Sequence, residues 1–364
     1  MLEKANNGID CDAGFVEALV KIQSTLAVTT VPGGLFLIGV EPDQVNPYFD
    51  LFPLNAAWGL AALNQRLAVA TFREVVVFSD SPKLAPAHPD RPGYYDAFYT
   101  PRMTFFTGEC SIHDLSITRR GLLGVNTRFS NVCLIDGQYS FDPVWQPPFI
   151  SSLTPDDRCH LNGVATDEHR VLYATAFGSF DEPQGWRAHE PSSGILIDAA
   201  TNDVLCRGLC LPHSPRLVDR RLFVLESGKG RVLTIDRQSG QADLVAELPG
   251  FVRGLADRGR ILFVGLSNVR HTERGSSLPI AQNPSLVTGV AAIDAITGRV
   301  LGTMRFSGEP REVFALAVIP SVRRAGISNG VQANQYYAVD GRVVSYWLRV
   351  GAGDLHREHR EMRN

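Results

Sequence analysis

Three of the nine histidines in this 364-residue chain, His113, His160 and His213, follow one another at intervals of 47 and 53 residues. Neutral imidazole is the commonest protein ligand for transition metals and the side chain best suited to exchanging a proton near neutral pH. If the fold gathers the three, the expected chemistry is a single Zn, Fe or Cu centre with open positions, or a group of acids and bases. Asp114 or Glu312 would then add a carboxylate ligand or general base. Arg158, Arg187, Arg216 and Arg253 lie in or beside the same stretches, and Arg102 precedes them. A guanidinium fork matches carboxylate and phosphate geometry, so these arginines point to a small anionic ligand. Asn162 would serve as an orienting hydrogen-bond donor and Trp58 as a contact at the same rim.

The plainer reading gives each residue a local duty. Each histidine would bond to nearby backbone, and each arginine would form an ion pair with Asp114, Asp157 or Glu312. Perturbed and clustered charges often hold a structure rather than perform chemistry.

Any convergence depends on elements that repeat. His113-Asp114-Leu115-Ser116-Ile117-Thr118 runs through a charged turn into Leu123-Gly124-Val125-Asn126-Thr127, and Leu161-Asn162-Gly163-Val164-Ala165-Thr166 runs likewise into Val171-Leu172-Tyr173-Ala174-Thr175. Two apolar runs joined by a polar turn read as a β-hairpin. The phrase returns near Trp58, Ser214 and Arg253, and more weakly near Phe314. Alignment puts Trp58, Asp114, Asn162, Ser214, Arg253 and Phe314 in one column, at steps of 39 to 61 residues. A propeller blade needs about 40 to 45 residues, so the longer steps carry insertions. The expected class is all-β, a six-bladed β-propeller with a short N-terminal helix; seven blades is the alternative.

In this alignment His113 and His213 precede the column by one residue and His160 by two. Alternation along a strand would therefore turn one of the three aside. The aligned column itself is expected to line the central channel.

Boundaries follow from the same pattern. Residues 1–23 form a helical extension, with Phe15, Leu19 and Ile22 on one face of a capped helix; residues 24–348 form the propeller; residues 349–364 are a flexible charged tail. Leu26-Ala27-Val28-Thr29-Thr30 looks like a second strand with no first strand before it. The strand at Phe314–Ile319 is expected to complete that blade and close the ring, hiding two sheet edges. Residues 79–110 form a large insertion whose aromatics (Tyr94, Tyr95, Phe98, Tyr99) read as packing between blades rather than ligand contacts.

Composition narrows the function. Net charge is −3, which offers no field for nucleic acid or an anionic membrane. No secretory signal interrupts the start, no stretch spans a bilayer, and six cysteines without a CxxC pair suit reduced thiols in a cytoplasmic protein. No phosphate-binding Gly-rich loop precedes a helix, so no nucleotide cofactor is expected. No Gly-x-Ser-x-Gly elbow is present, and the adjacent His213 and Ser214 point to opposite faces of a strand. Oligomeric state is left open.

Several motifs together resemble a known set: Tyr95-Asp96-Ala97-Phe98-Tyr99, His113-Asp114-Leu115, Trp145-Gln146-Pro147-Pro148-Phe149-Ile150-Ser151, Asp157-Arg158-Cys159-His160-Leu161-Asn162-Gly163, Gly185-Trp186-Arg187, Pro212-His213-Ser214-Pro215-Arg216 and Arg253-Gly254-Leu255. Over residues 24–322 the chain resembles the uncharacterised bacterial family DUF4915. It departs from that pattern at Glu226, where the family has Asn. The resemblance implies a propeller-like domain and supplies no reaction. The residues themselves favour an enzyme acting on a small polar or anionic metabolite at the channel mouth, metal-assisted through the histidines. The alternative is a non-catalytic propeller that binds a sugar, peptide or partner protein through rim aromatics.

Overall fold

The computed structural model describes residues 8–328 and 336–349. Six four-stranded antiparallel units form the ring, and two of them carry a fifth strand. Blade one takes its inner strand, Glu312–Ile319, from the far end of the chain and its other three from Thr25–Val31, Gly33–Val40 and Pro47–Leu54. Blades two to six begin with the inner strands Leu60–Leu63, Ile112–Thr118, Gly163–Thr166, Pro212–Val218 and Phe251–Arg258. The expected closure is present: Leu26 pairs with Val318 and Val28 with Leu316. There are six blades, and the seven-bladed alternative is set aside.

The second strands explain why the repeat is visible. Leu222 to Glu226 and Ile261 to Ser267 are buried at nearly every position, because each blade is covered on both faces by its neighbours. Continuous apolar runs, rather than strict alternation, are what such a strand requires. The seams are also stitched by hydroxyls. Thr29 Oγ1 donates to the Trp58 carbonyl, Thr127 Oγ1 to that of Leu161 and Ser227 Oγ to that of Val252, each time reaching from the end of a second strand or just past it to the chain entering the next blade.

The N-terminal segment is more integrated than an extension. Ile9–Cys11 adds a fifth strand to blade six beside Val300–Phe306. Asp12 then caps the helix Ala13–Ile22, accepting from Phe15 N at 2.8 Å, and Phe15, Leu19 and Ile22 enter the same core as Phe263 and Met304. Gly14 is required there: a Cβ would sit 2.0 Å from the Leu301 carbonyl oxygen.

At the other end, within the expected 24–348 span, the chain continues past the last inner strand. After Ile319 the chain adds Ala325–Ile327 in parallel to the outer strand of blade two. Residues Tyr336–Asp340 and Ser345–Arg349 form a separate hairpin outside the ring. It rests on the 79–110 insertion through Trp347, whose Nε1 donates to the Leu84 carbonyl and whose ring meets His88 and Phe98. Arg102 pairs with Asp340 of this hairpin at 2.8 Å and so does not reach the rim. The insertion's aromatics pack among themselves and with Tyr48, as the packing reading expects. Apart from Arg349, the expected tail lies outside the described residues. No helix among the described residues is long and apolar enough to cross a membrane.

Candidate functional site

The inner strands enclose two cavities at opposite ends of the channel. Residues late in these strands, such as Leu63, Ile117, Thr166, Arg216 and Val318, line one of about 300 Å³. Residues at their starts line the other, about 310 Å³, which contains His113, His160 and His213 together with Arg187, Arg253, Arg270, Arg274 and Glu312.

His113 and His213 are held by one device used twice. Two residues before each, Ser111 and Leu211 adopt left-handed backbone (φ 54° and 50°), which turns their carbonyls toward the ring. His113 Nδ1 donates to Ser111 O at 2.8 Å and Thr127 Oγ1 at 2.9 Å; His213 Nδ1 donates to Leu211 O at 3.0 Å and Ser227 Oγ at 2.8 Å. A carbonyl only accepts, and each hydroxyl spends its own proton on the next blade. The proton is therefore assigned to Nδ1, and Nε2 carries the lone pair. Neither Nε2 has a hydrogen-bond partner among the described residues. Burial, then the nearby charges of Arg253 and His160, hold both rings well below the ordinary histidine range, so both are neutral at pH 7.

His160 is built differently, yet it lines the same cavity as His113 and His213. The inner strand of its blade begins only at Gly163, so strand alternation does not govern it. Its own backbone is left-handed (φ 50°), and the ring turns back to the cavity between Phe177 and Trp186, at centroid distances of 4.4 and 4.5 Å. Nδ1 faces both oxygens of Asp157 at 3.0 Å, and Trp186 Nε1 donates to the same carboxylate at 3.1 Å. This is the geometry in which a carboxylate orients an imidazole and stabilises the imidazolium formed when Nε2 takes a proton.

The arginines divide sharply. Arg216 is spent on Asp114, with two hydrogen bonds of 2.9 and 3.0 Å, and faces the opposite cavity. Arg158 is spent on Asp156 and Asp181 and clamps a surface loop. Both expected ligand arginines are structural because a carboxylate already fills the fork. Arg187 does line the pocket, its guanidinium 4.2 Å from the centre of the Trp186 ring.

Arg253 is the exception to every rule of pairing. It is 8% exposed, lies over the Phe314 ring at 3.6 Å, and its side chain has no hydrogen bond or ion pair among the described residues; Nη2 is fully buried. Burial first, then Arg270, pushes it down to about 9. A guanidinium keeps its proton in proteins even so, which leaves an unneutralised charge in a low-dielectric wall.

The remaining expected site residues fall behind the wall. Asp114, 4% exposed, accepts from Leu115 N and Val164 N besides Arg216. Asn162 accepts from Thr175 and donates to the His160 carbonyl. Ser214 accepts from Gly254 N. Trp58 backs His113 and Phe314, at 5.6 and 6.1 Å. The column is a belt that ties blades together, and of its first five members only Arg253 lines this cavity.

Phe177 packs against both His160 and His213, and Asp157 occupies one nitrogen of His160. Among the described residues no group of three or more His, Cys, Asp or Glu is arranged to hold a metal ion. Cys159 is no nucleophile either, since burial raises its thiol to about 12.

Sequence reasoning missed Arg270 and Arg274. Both sit in the long segment between the second and third strands of blade six, Ile261–Ser267 and Gly289–Asp294. That length was the available signal, because bare hairpins elsewhere need only a few residues. Arg270 forms a two-pronged pair with Glu312 at 2.7 and 2.8 Å.

A pH dependence follows. His213 is 3% exposed, and its folded pKa lies below the unfolded value near 6.5. The unfolded chain therefore binds more protons below that pH, and stability falls as pH falls. His113 is shifted the same way for the same reason, so the loss begins at pH ~6.5 and steepens as pH falls further. Urea midpoints at pH 7.5, 6.5 and 5.5 should show it, and His213→Gln should flatten that slope. An unchanged slope in the variant would contradict the assigned neutral ring.

The chain is similar in structure to one from the crystal structure of a nidogen/laminin complex, with TM-score 0.53 and 11% identity, covering 82% of this chain and 99% of that one. A protein of unknown function from Bacteroides caccae aligns with TM-score 0.48 and 11% identity, over 81% and 98% of the two chains. At this identity the first likeness speaks for the propeller fold alone. No functionally curated protein matches the chain. The model of the domain of unknown function DUF4915 matches residues 13–327, and the chain belongs to that family.

Proposed function

We propose that the pocket binds a small anionic metabolite and acts on it by proton transfer. The observation that carries this reading is Arg253, a buried cation with no partner of its own. An enclosed guanidinium is costly in the empty protein and strongly favourable to a carboxylate or phosphate that enters. Arg253 holds the anion. His160, oriented by Asp157, exchanges the proton, while His113 and His213 offer neutral Nε2 atoms as hydrogen-bond acceptors or as a second base. Phe177, Trp186 and Phe251 supply an apolar wall that keeps these groups dry. The free thiols of all six cysteines suit a reducing compartment, and we assign the reaction to the cytoplasm.

Calorimetric titration of the full chain with a panel of carboxylate and phosphate-monoester metabolites tests recognition. At least one should bind, and Arg253→Gln should weaken it by about tenfold to a hundredfold, the worth of a charge-assisted pair. No binding across the panel would overturn the reading. Mass spectrometry of the bound compound tests catalysis: turnover should disappear in His160→Gln while binding persists, and a ligand recovered unchanged from the wild type would refute the catalytic half.

A further inference from the structure

The pocket wall holds two separate centres of unneutralised positive charge. Arg253 is the first. The second is Arg274, whose Nη1 donates to the carbonyls of Arg187 at 3.3 Å and His189 at 3.0 Å. Its Nε and Nη2 are buried without a partner, and no carboxylate pairs with it among the described residues. Arg187 stands beside it, and the two guanidiniums lie 4.2 and 5.3 Å from the centre of the Trp186 ring. The only acidic side chain in the lining, Glu312, is already taken by Arg270.

The centres rest on different elements: Arg253 on the inner strand Phe251–Arg258 and over Phe314, Arg274 in the insertion after Ile261–Ser267 and over Trp186. Burial depresses both; the cation that adds to it is Arg270 for Arg253 and Arg187 for Arg274. Both face one cavity, with Trp186, Phe177 and Phe251 also in its wall.

We propose that the ligand of this pocket carries two acidic groups, one at each end of a short apolar or flat body. One group meets Arg253 at the channel mouth, the other meets Arg274 and Arg187, and the body lies on the aromatic wall. A ligand with a single acidic group would leave one guanidinium with buried, unmet donors, whereas two groups satisfy both. An aromatic surface suits a flat or methylene-rich body better than a polar chain. A cavity of about 310 Å³ is at the small end of ligand pockets and has room for such a body. This rests on the anion reading above and adds a second, distinct contact.

The test uses the full chain, a series of straight-chain α,ω-dicarboxylates of three to eight carbons, the matching monocarboxylates, and ω-phosphonocarboxylates of the same lengths. Binding is read by calorimetry at low salt. A sharp optimum in length is expected, at which the doubly charged probe binds at least tenfold more tightly than the monocarboxylate of equal length. Arg274→Gln should reduce it to the monocarboxylate's affinity and abolish the dependence on chain length. A stronger phosphonocarboxylate would identify a phosphate at one end; a stronger dicarboxylate would identify two carboxylates; either supports the proposal. Equal affinity of mono- and dianions, or an Arg274→Gln variant that binds dianions as well as the wild type, overturns it. If no probe of either kind binds, the anion reading itself fails, and the proposal with it. Retained secondary structure and melting temperature in Arg274→Gln separate a lost contact from a lost fold.

Discussion

Replacing Arg253 with methionine is expected to make the protein more stable while abolishing its affinity for anions. The side chain is buried and packs flat on Phe314, yet its charge has no counter-ion among the described residues. Methionine keeps the contact with the ring and removes the desolvated charge. Exchanging buried ionic groups for apolar ones of similar volume commonly stabilises by about 1–4 kcal/mol, and a site kept for function is where such a gain is found. Urea unfolding at pH 7.5 measures the first effect and calorimetry the second. A variant destabilised by more than about 1 kcal/mol would mean that Arg253 holds the blades together, and the anion site would lose its basis.

Replacing Asp114 with alanine should have the opposite outcome. Its carboxylate joins blades three, four and five: it accepts from Val164 N and takes both prongs of Arg216, 102 residues further along the chain. Removing one partner of a buried pair costs about 3–5 kcal/mol, because the other charge is left behind. Arg216 keeps bonds to the carbonyls of Val164 and Pro215, which places the loss toward the lower figure. Pairing the change with Arg216→Met should recover most of it. Anion binding should be retained in any folded fraction, since Asp114 does not line the pocket. A loss below about 1 kcal/mol in Asp114→Ala would show that the pair contributes little.

The ring and its closure were legible in the linear chain because burial imposes composition. Second strands covered on both faces must be apolar nearly throughout, so Leu67 to Ala70, Leu222 to Leu225 and Leu262 to Leu266 stand out. Leu26 to Thr30 was recognisable as such a strand lacking a first partner, which pointed to Phe314–Ile319. The three histidines were also legible as strand-start residues, and they do reach one cavity.

Which charges remain free was decided only in three dimensions. Arg253 stands in the aligned column and Arg216 two residues beyond its counterpart Ser214, but neither position tells which arginine will meet a carboxylate. Arg216 meets a carboxylate from two blades earlier, whereas the carboxylate nearest the pocket, Glu312, is captured by Arg270 from an insertion outside the repeat. Partners so distant in sequence leave no periodic trace. His160 shows the same limit on a smaller scale: strand alternation predicted that it would turn away, but a left-handed backbone and the Asp157 carboxylate return it to the pocket. Repeated burial therefore wrote the scaffold into the sequence, while the site arose from where the propeller leaves Arg253 and Arg274 without a carboxylate partner among the described residues.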